Sequence, residues 1–378
     1  MKALTQPHNY AKRILLAVTG MSPQILTETL WSLAVAEEDP FIPTEVHVIT
    51  TLEGAERARL LLLSEEPGWF HRLRRDYQLP EITFTTAQLH VITDAQGTPM
   101  SDIRTPEDNE AAADFITDWV RQLTADPDSA LHVSLAGGRK TMGYYLGYAL
   151  SLYGRAQDRL SHVLVSEGYE SSPDFFYPTP YERIILVGAN KKPLDCAQAR
   201  IDRATIPFVR LREELPRRFA TDHTRFTAVV AATNRALEAP QLCLNRAEHH
   251  LQADDQEIPL TPIQFALYLW MADGALRGES VMDWASSEAA THFLAAYRQV
   301  VPEMSAEYEE AEEALAWRTK DPRDVKDYFA ANLSRANQKF DEVLGSAAAQ
   351  RYQIHKISKR SAGQLFAINL DPEQIEIR

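Results

Sequence analysis

The sequence predicts a doubly wound, mostly parallel α/β sheet, followed by a helical connector and a smaller α+β domain. Three observations carry this. From Arg13 to about Gly188, apolar strands alternate with amphipathic helices, the pattern of a parallel sheet covered on both faces. At 378 residues the chain is long enough for two domains, and 45% hydrophobic with 24% charged residues is ordinary for a chain that buries a core. The composition then changes after Val187, where Gly188-Ala-Asn-Lys-Lys-Pro193 reads as a turn. The expected division is 1–190 for the sheet domain, 191–240 for the connector and 241–378 for the second domain.

The elements follow in order. Arg13 to Thr19 is an apolar strand, Gly20-Met-Ser-Pro-Gln24 a turn, and Ile25 to Ala36 a helix with apolar residues at helical spacing. Val46 to Thr50 is the next strand, Ala55 to Leu63 the next helix, Ile82 to Val91 extended chain and Asn109 to Leu123 a helix. Ala130 to Ala136 is a buried strand, Thr141 to Tyr153 its helix, and His162 to Val165 a further strand. Phe175 to Pro180 and Ile184 to Val187 read as sheet-edge material. Ile201 to Leu237 reads as largely helical with a break at Pro216. Leu242 to Pro259 then looks like a hairpin, and Leu260 to Met271 a helix capped by Thr261 with Pro262 in its first turn. Glu279 to Lys320, with nine acidic and three basic residues, reads as an acidic helical insertion with a solvated face. Asp324 to Leu344 is another helix, and Tyr352 to Ile357 with Gln364 to Leu370 a terminal hairpin.

The segment Ser134-Leu-Ala-Gly-Gly-Arg-Lys-Thr-Met142 says most about chemistry. Here a buried strand runs into two glycines, two cations and a hydroxyl just before a helix. Gly137 and Gly138 allow a sharp turn and close approach of a ligand, and the helix N-terminus presents unpaired N–H groups. Cations at a helix N-terminus oppose its dipole, so Arg139 and Lys140 point to a bound anion, with phosphate the natural choice. A nucleotide-triphosphatase P-loop is excluded, because Arg139 and Ser134 hold the two places where that pattern needs glycine. In open sheets of this type, ligands sit beyond the carboxyl ends of the strands, and the turns at Gly20 and Gly137 both fall there.

Other classes are narrowed by composition. A net charge of −14 argues against a surface built uniformly to grip nucleic acid, leaving room only for a local basic patch. No apolar run reaches the roughly 18 residues of a membrane span. The amino terminus lacks the plan of a signal peptide, so a cytosolic protein is expected. Two cysteines, Cys196 and Cys243, supply neither a disulfide framework nor a zinc site. His132 and His162 lie inside strands, and His47 alternates with Val46 and Val48, so these read as structural. Glu248-His-His250 has no metal spacing, and no metal or cofactor is expected.

Several ordered stretches resemble one family. Thr19-Gly-Met-Ser-Pro-Gln-Ile-Leu-Thr-Glu28, His47-Val-Ile-Thr-Thr51, Asp102-Ile-Arg-Thr105, Ser134 to Met142 and Gln157 to Leu164 are similar to the CRISPR-associated Rossmann-fold (CARF) proteins, and most of all to their ring-nuclease branch. The resemblance covers roughly residues 10 to 188. It implies a homodimer that binds cyclic tetra-adenylate, the messenger of type III CRISPR complexes, across its two-fold axis. It also implies cleavage of that ring to linear di-adenylate ending in a 2′,3′-cyclic phosphate, without metal and with the substrate's own 2′-OH as nucleophile. By the same resemblance Ser22 and Lys140 are the cleavage residues, with Gly20, Gln24, Gly137, Gly138, Arg139 and Thr141 around the ligand. Plainer roles stand beside these: Ser22 as a helix cap, Gln24 as a solvated helix residue, and Asp102, Arg104 and Asn109 as parts of a turn and cap sequence.

Leu242 to Met271 and Ser334 to Ile377, with a hairpin, a helix starting at Leu260-Thr-Pro262, a later helix with Leu333-Ser-Arg-Ala-Asn-Gln-Lys339 and a wing at Tyr352 to Leu370, resemble the winged-helix domains that end many response regulators. In a DNA-binding version, Arg335 and Lys339 would enter the major groove, while Lys356, Lys359 and Arg360 would touch phosphates. From Arg323 to Arg360 there are eight basic and four acidic residues, whereas the acidic insertion nearby opposes DNA. A transcription regulator that senses the ring without cutting it is therefore the alternative to the ring nuclease. A ring-gated ribonuclease, marked by the spacing of Arg218 and His223, is a third reading.

Overall fold

Lys12–Val18 (β1) is the centre of the first sheet because Ile14 to Val18 are all buried, as a strand covered on both faces requires. In the computed structural model the described residues are 6–378, apart from 171, 217, 218, 220–224, 238, 280, 285–287, 319–321 and 358–364. Glu45–Thr50 (β2), Leu89–Val91 (β3), Ser129–Ser134 (β4) and Arg159–Val165 (β5) run parallel to β1, in the order β3-β2-β1-β4-β5. The order therefore reverses between β1 and β4, where Ala17 lies beside Ser134. In open sheets of this kind the loops at the carboxyl ends beside such a reversal are the usual place for a ligand.

Helices Gln24–Ala34 (α1), Leu52–Ala58 (α2), Trp69–Asp76 (α3), Pro106–Leu123 (α4) and Lys140–Tyr153 (α5) connect these strands. The α1 residues Leu26, Leu30 and Leu33 enter a core with Leu15, Val46, Val48 and Phe70. Thr29 on α1 hydrogen-bonds Ser134 at the end of β4, hydroxyl to hydroxyl at 3.1 Å, and both are fully buried. That bond ties α1 to the strand that leads into the Gly-Gly loop. At α4 the capping reading of the sequence is correct. Thr105 Oγ1 accepts the Asp108 N–H at 3.1 Å, and an Asp108 oxygen accepts the Thr105 N–H at 3.0 Å.

Several polar residues of this unit have their partners inside the fold. Asp158 is completely buried, where it accepts the Leu131 N–H at 3.0 Å and pairs with Arg155 at 2.8 Å. His132 bonds the Ser161 hydroxyl at 2.8 Å, and burial lowers its pKa to about 3, so it is neutral. His47 Nδ1 lies 2.8 Å from His90 Nε2, and His90 stacks on Trp119. Cys196 is buried and Cys243 half-buried.

Ile184–Val187 (β6) and Lys192–Asp195 (β7) form a separate two-stranded hairpin across the turn expected at Gly188. Ile201–Thr205 (β8) then pairs antiparallel with β5. This corrects the sequence reading of 201–237 as largely helical. The exposed ladder of an edge strand needs a partner, and β8 supplies it to β5. By internal contacts the first unit comprises Met1–Arg212 with His223–Thr227.

The second unit, Glu213–Asp222 with Ala228–Arg378, holds two small sheets and a set of helices. Leu242–Asn245 (β9), His250–Ala253 (β10) and Gln256–Ile258 (β11) make an antiparallel meander, so the expected hairpin gains a third strand. The helix Pro262–Leu276 is buried on nearly every side, with Gln264 Oε1 accepting the Thr261 N–H at 3.0 Å. Val281–Asp283 (β12) pairs with Leu365–Ile368 (β14), which also pairs with Ile354–Ile357 (β13). A strand thus opens the stretch read as helical, ahead of helices Ala289–Tyr297 and Ala306–Arg318. Trp270, Trp284, Phe293, Phe329 and Phe366 form its aromatic core, with Trp284 and Phe366 stacked at 3.9 Å. The last strand, Ile375–Ile377 (β15), lies parallel to β9.

Candidate functional site

The loops that follow β1 and β4 meet at the strand-order reversal because both are built from glycine. A β-carbon on Gly20 would lie 3.8 Å from the Gly138 Cα. One on Gly137 would sit 2.0 Å from Ile25 Cδ1 and 2.8 Å from the Val18 carbonyl oxygen, closer than side chains tolerate. Gly138 has φ +74°, in the left-handed region that favours glycine. Gly54 of α2 packs as closely, since a β-carbon there would come within 2.9 Å of the Gly20 carbonyl oxygen. Replacing Gly137 by alanine is expected to cost about 1–3 kcal/mol, the range for overpacking. A urea midpoint equal to the wild type's would show that the loop yields freely.

Ser22 is exposed, and its hydroxyl has no hydrogen bond among the described residues. It does not cap α1. The cap position is Pro23, which offers no side-chain acceptor, and the Thr19 hydroxyl donates to the Ser22 carbonyl at 3.1 Å to fix the turn. Gln24 is buried, contrary to the solvated reading. Its amide nitrogen donates to the Pro173 carbonyl at 3.1 Å, while Oε1 is buried without a partner. One turn further along α1, Glu28 is 6% exposed, and burial alone pushes its pKa up to about 8.

On the loop after β4, Lys140 and Thr141 occupy the first turn of α5, both exposed, and no ion pair holds Lys140 among the described residues. Their N–H groups have no carbonyl four residues back, as at every helix start. Arg139, expected to face the ligand, is also held by a carboxylate. Its Nε donates to Asp102 Oδ1 at 2.8 Å and its Nη2 to Oδ2, and Arg104 Nε donates to the same carboxylate at 3.2 Å. These bonds hold the Asp102 carboxyl well below the usual range. Asn109 donates to the Tyr145 hydroxyl at 2.6 Å and so joins α4 to α5. The role of Asp102 was not derivable from spacing, because Arg139 lies 37 residues away; the only signal was the Asp102-Ile-Arg-Thr105 stretch itself. Two glycine loops, two helix starts and nearby cations are the kinds of group that can receive an anion.

The model of the family described as CRISPR-associated protein NE0113 matches residues 22–238, more than half of the chain. The chain belongs to that CRISPR-associated family. The match begins at Ser22 and includes the Gly-Gly loop and β8. Comparison with curated proteins gives no match. Among solved structures, Csm6 of Enterococcus italicus bound to cyclic hexa-2′-fluoro-hexa-dAMP is 11% identical. The alignment covers 88% of this chain but 58% of that one, with a TM-score of 0.26, too low to carry a structural argument.

Among the described residues no three His, Cys, Asp or Glu side chains gather as a metal site, and no helix is long and apolar enough to cross a membrane. In the second unit, Arg335 and Lys356 are exposed, whereas Lys339 is paired with Glu342 at 3.0 Å. Lys359, Arg360, Arg218 and His223 lie outside the described residues.

Proposed function

We propose that this member of the NE0113 family is a ring nuclease that binds cyclic tetra-adenylate across a homodimer axis and cuts it without metal. The observation that carries the reading is the meeting of the two glycine loops, with Ser22 and Lys140 both exposed at that meeting and unpaired among the described residues. A ring of four adenylates carries four phosphates, and a two-fold dimer would offer two such loop pairs. In the reaction, a ribose 2′-oxygen attacks the adjacent 3′-phosphorus. The bond from phosphorus to O2′ forms, the bond to O5′ breaks, the 2′-OH loses its proton and O5′ takes one up. Lys140 stabilises the extra negative charge on the phosphorane, and Ser22 holds the scissile phosphate or steers the 2′-OH.

A regulator that senses the ring without cutting it is the second reading. It draws on the helix Pro322–Leu344, which precedes the β13–β14 hairpin and leaves Arg335 exposed. Against it stand Glu307, Glu309, Glu310, Glu312 and Glu313, all exposed on Ala306–Arg318. Incubating the chain with labelled cyclic tetra-adenylate in excess EDTA separates the two. Linear di-adenylate ending in a cyclic phosphate is expected; an intact ring retained by the protein would transfer the assignment to the regulator.

A further inference from the structure

We propose that Asp102 is a positioning residue that fixes Arg139 and Arg104 as a paired guanidinium receptor for one phosphodiester of the ring. The inference rests on the ring-binding reading of this site. Arginine has five N–H donors in a planar fork. Asp102 engages the Nε and Nη2 edge of Arg139, which leaves Nη1 and the second Nη2 hydrogen directed away from the carboxylate. Arg104 spends only its Nε on the same carboxylate, and its side chain is 73% exposed. One carboxylate therefore anchors two guanidinium groups and leaves most of their donors unused by it. The loop after β3 carries Arg104 against Asp94 and Asp102, and the loop after β4 with the first residue of α5 adds Arg139 and Lys140 with no acidic residue.

Stability does not explain the arrangement. The Arg139 side chain is 51% exposed and that of Asp102 22%, and ion pairs so open to water add little to folding. The pair is bidentate, which fixes a guanidinium plane more tightly than a single contact does. Its value lies in orientation: an arginine held in one pose loses less freedom when it meets an anion.

The test is steady-state cleavage of labelled cyclic tetra-adenylate by the full chain, with direct binding measured alongside. Asp102→Asn keeps an acceptor for the Ile103 N–H, which Asp102 Oδ1 now receives at 2.8 Å, but loses the charge that grips both arginines. It is expected to lower kcat roughly tenfold, less than the 10²–10³ lost on deleting a donor outright, and Asp102→Glu to recover part of that loss. Arg104→Ala is expected to raise KM while leaving kcat alone, as removal of uniform binding does, and to make binding less sensitive to salt. Wild-type cleavage with an unchanged Asp102→Asn, or tighter binding by that variant, would overturn the proposal and make Asp102 a bystander or a competitor. A wild type that neither binds nor cuts the ring would sink the functional reading first, and this inference with it.

Discussion

Replacing Lys140 by alanine is expected to slow ring cleavage by about 10²–10³-fold, the usual loss when one preorganised donor to a developing oxyanion is removed. The fold should not suffer. Lys140 is the first residue of α5, it is exposed, and alanine forms helix at least as readily. A cation at a helix start also opposes the dipole by about 0.3–1 kcal/mol, so the variant should melt at the same temperature or slightly higher. Activity and stability are thereby expected to move in opposite directions, which a merely structural lysine would not produce. Single-turnover rates on labelled cyclic tetra-adenylate, read beside a thermal melt, make the measurement. A rate within a factor of about three of wild type would remove Lys140 from the chemistry.

The same contrast marks what the residue pattern could and could not reveal. The Gly-Gly turn and the helix behind it were legible because their signals are local: an apolar strand, two glycines and a helical repeat within twenty residues. The sheet reading was legible for the same reason in β1, β2, β4 and β5. What stayed hidden depends on partners remote in sequence. β8 is a strand because the edge of β5 is open, a fact that nothing between Ile201 and Thr205 announces. β12 is three residues long and exists through its pairing with β14, more than eighty residues later. Asp102 read as a turn residue, and its own Ile103 contact would support that; only its grip on Arg139 shows what else it does. Ser22 could be taken for a cap until the helix began one residue too late for it, at Gln24 after Pro23.

Glu28 supplies the second large effect, and it falls on stability. Burial raises its folded-state pKa from 4.5 to about 8. Below about pH 4.5 the carboxyl is protonated in folded and unfolded chains alike and costs nothing in linkage. Between 4.5 and about 8 the folded chain keeps the proton while the unfolded chain releases it, so each pH unit removes about 1.4 kcal/mol of stability. Above that window both forms are ionised and the loss is complete. Glu28→Gln places a neutral side chain of the same shape in the buried position and should flatten this slope. Between pH 5.5 and 8 the wild type is expected to lose a few degrees of melting temperature per pH unit relative to the variant. Parallel melting curves for the two proteins across that range would show that the carboxyl is solvated. The effect bears on the site through α1, which starts at Gln24 directly after the Ser22-Pro23 turn. Loosening that helix at alkaline pH should weaken ring binding in the wild type before it does so in Glu28→Gln, which separates a pH effect on the scaffold from one on the cleavage step itself.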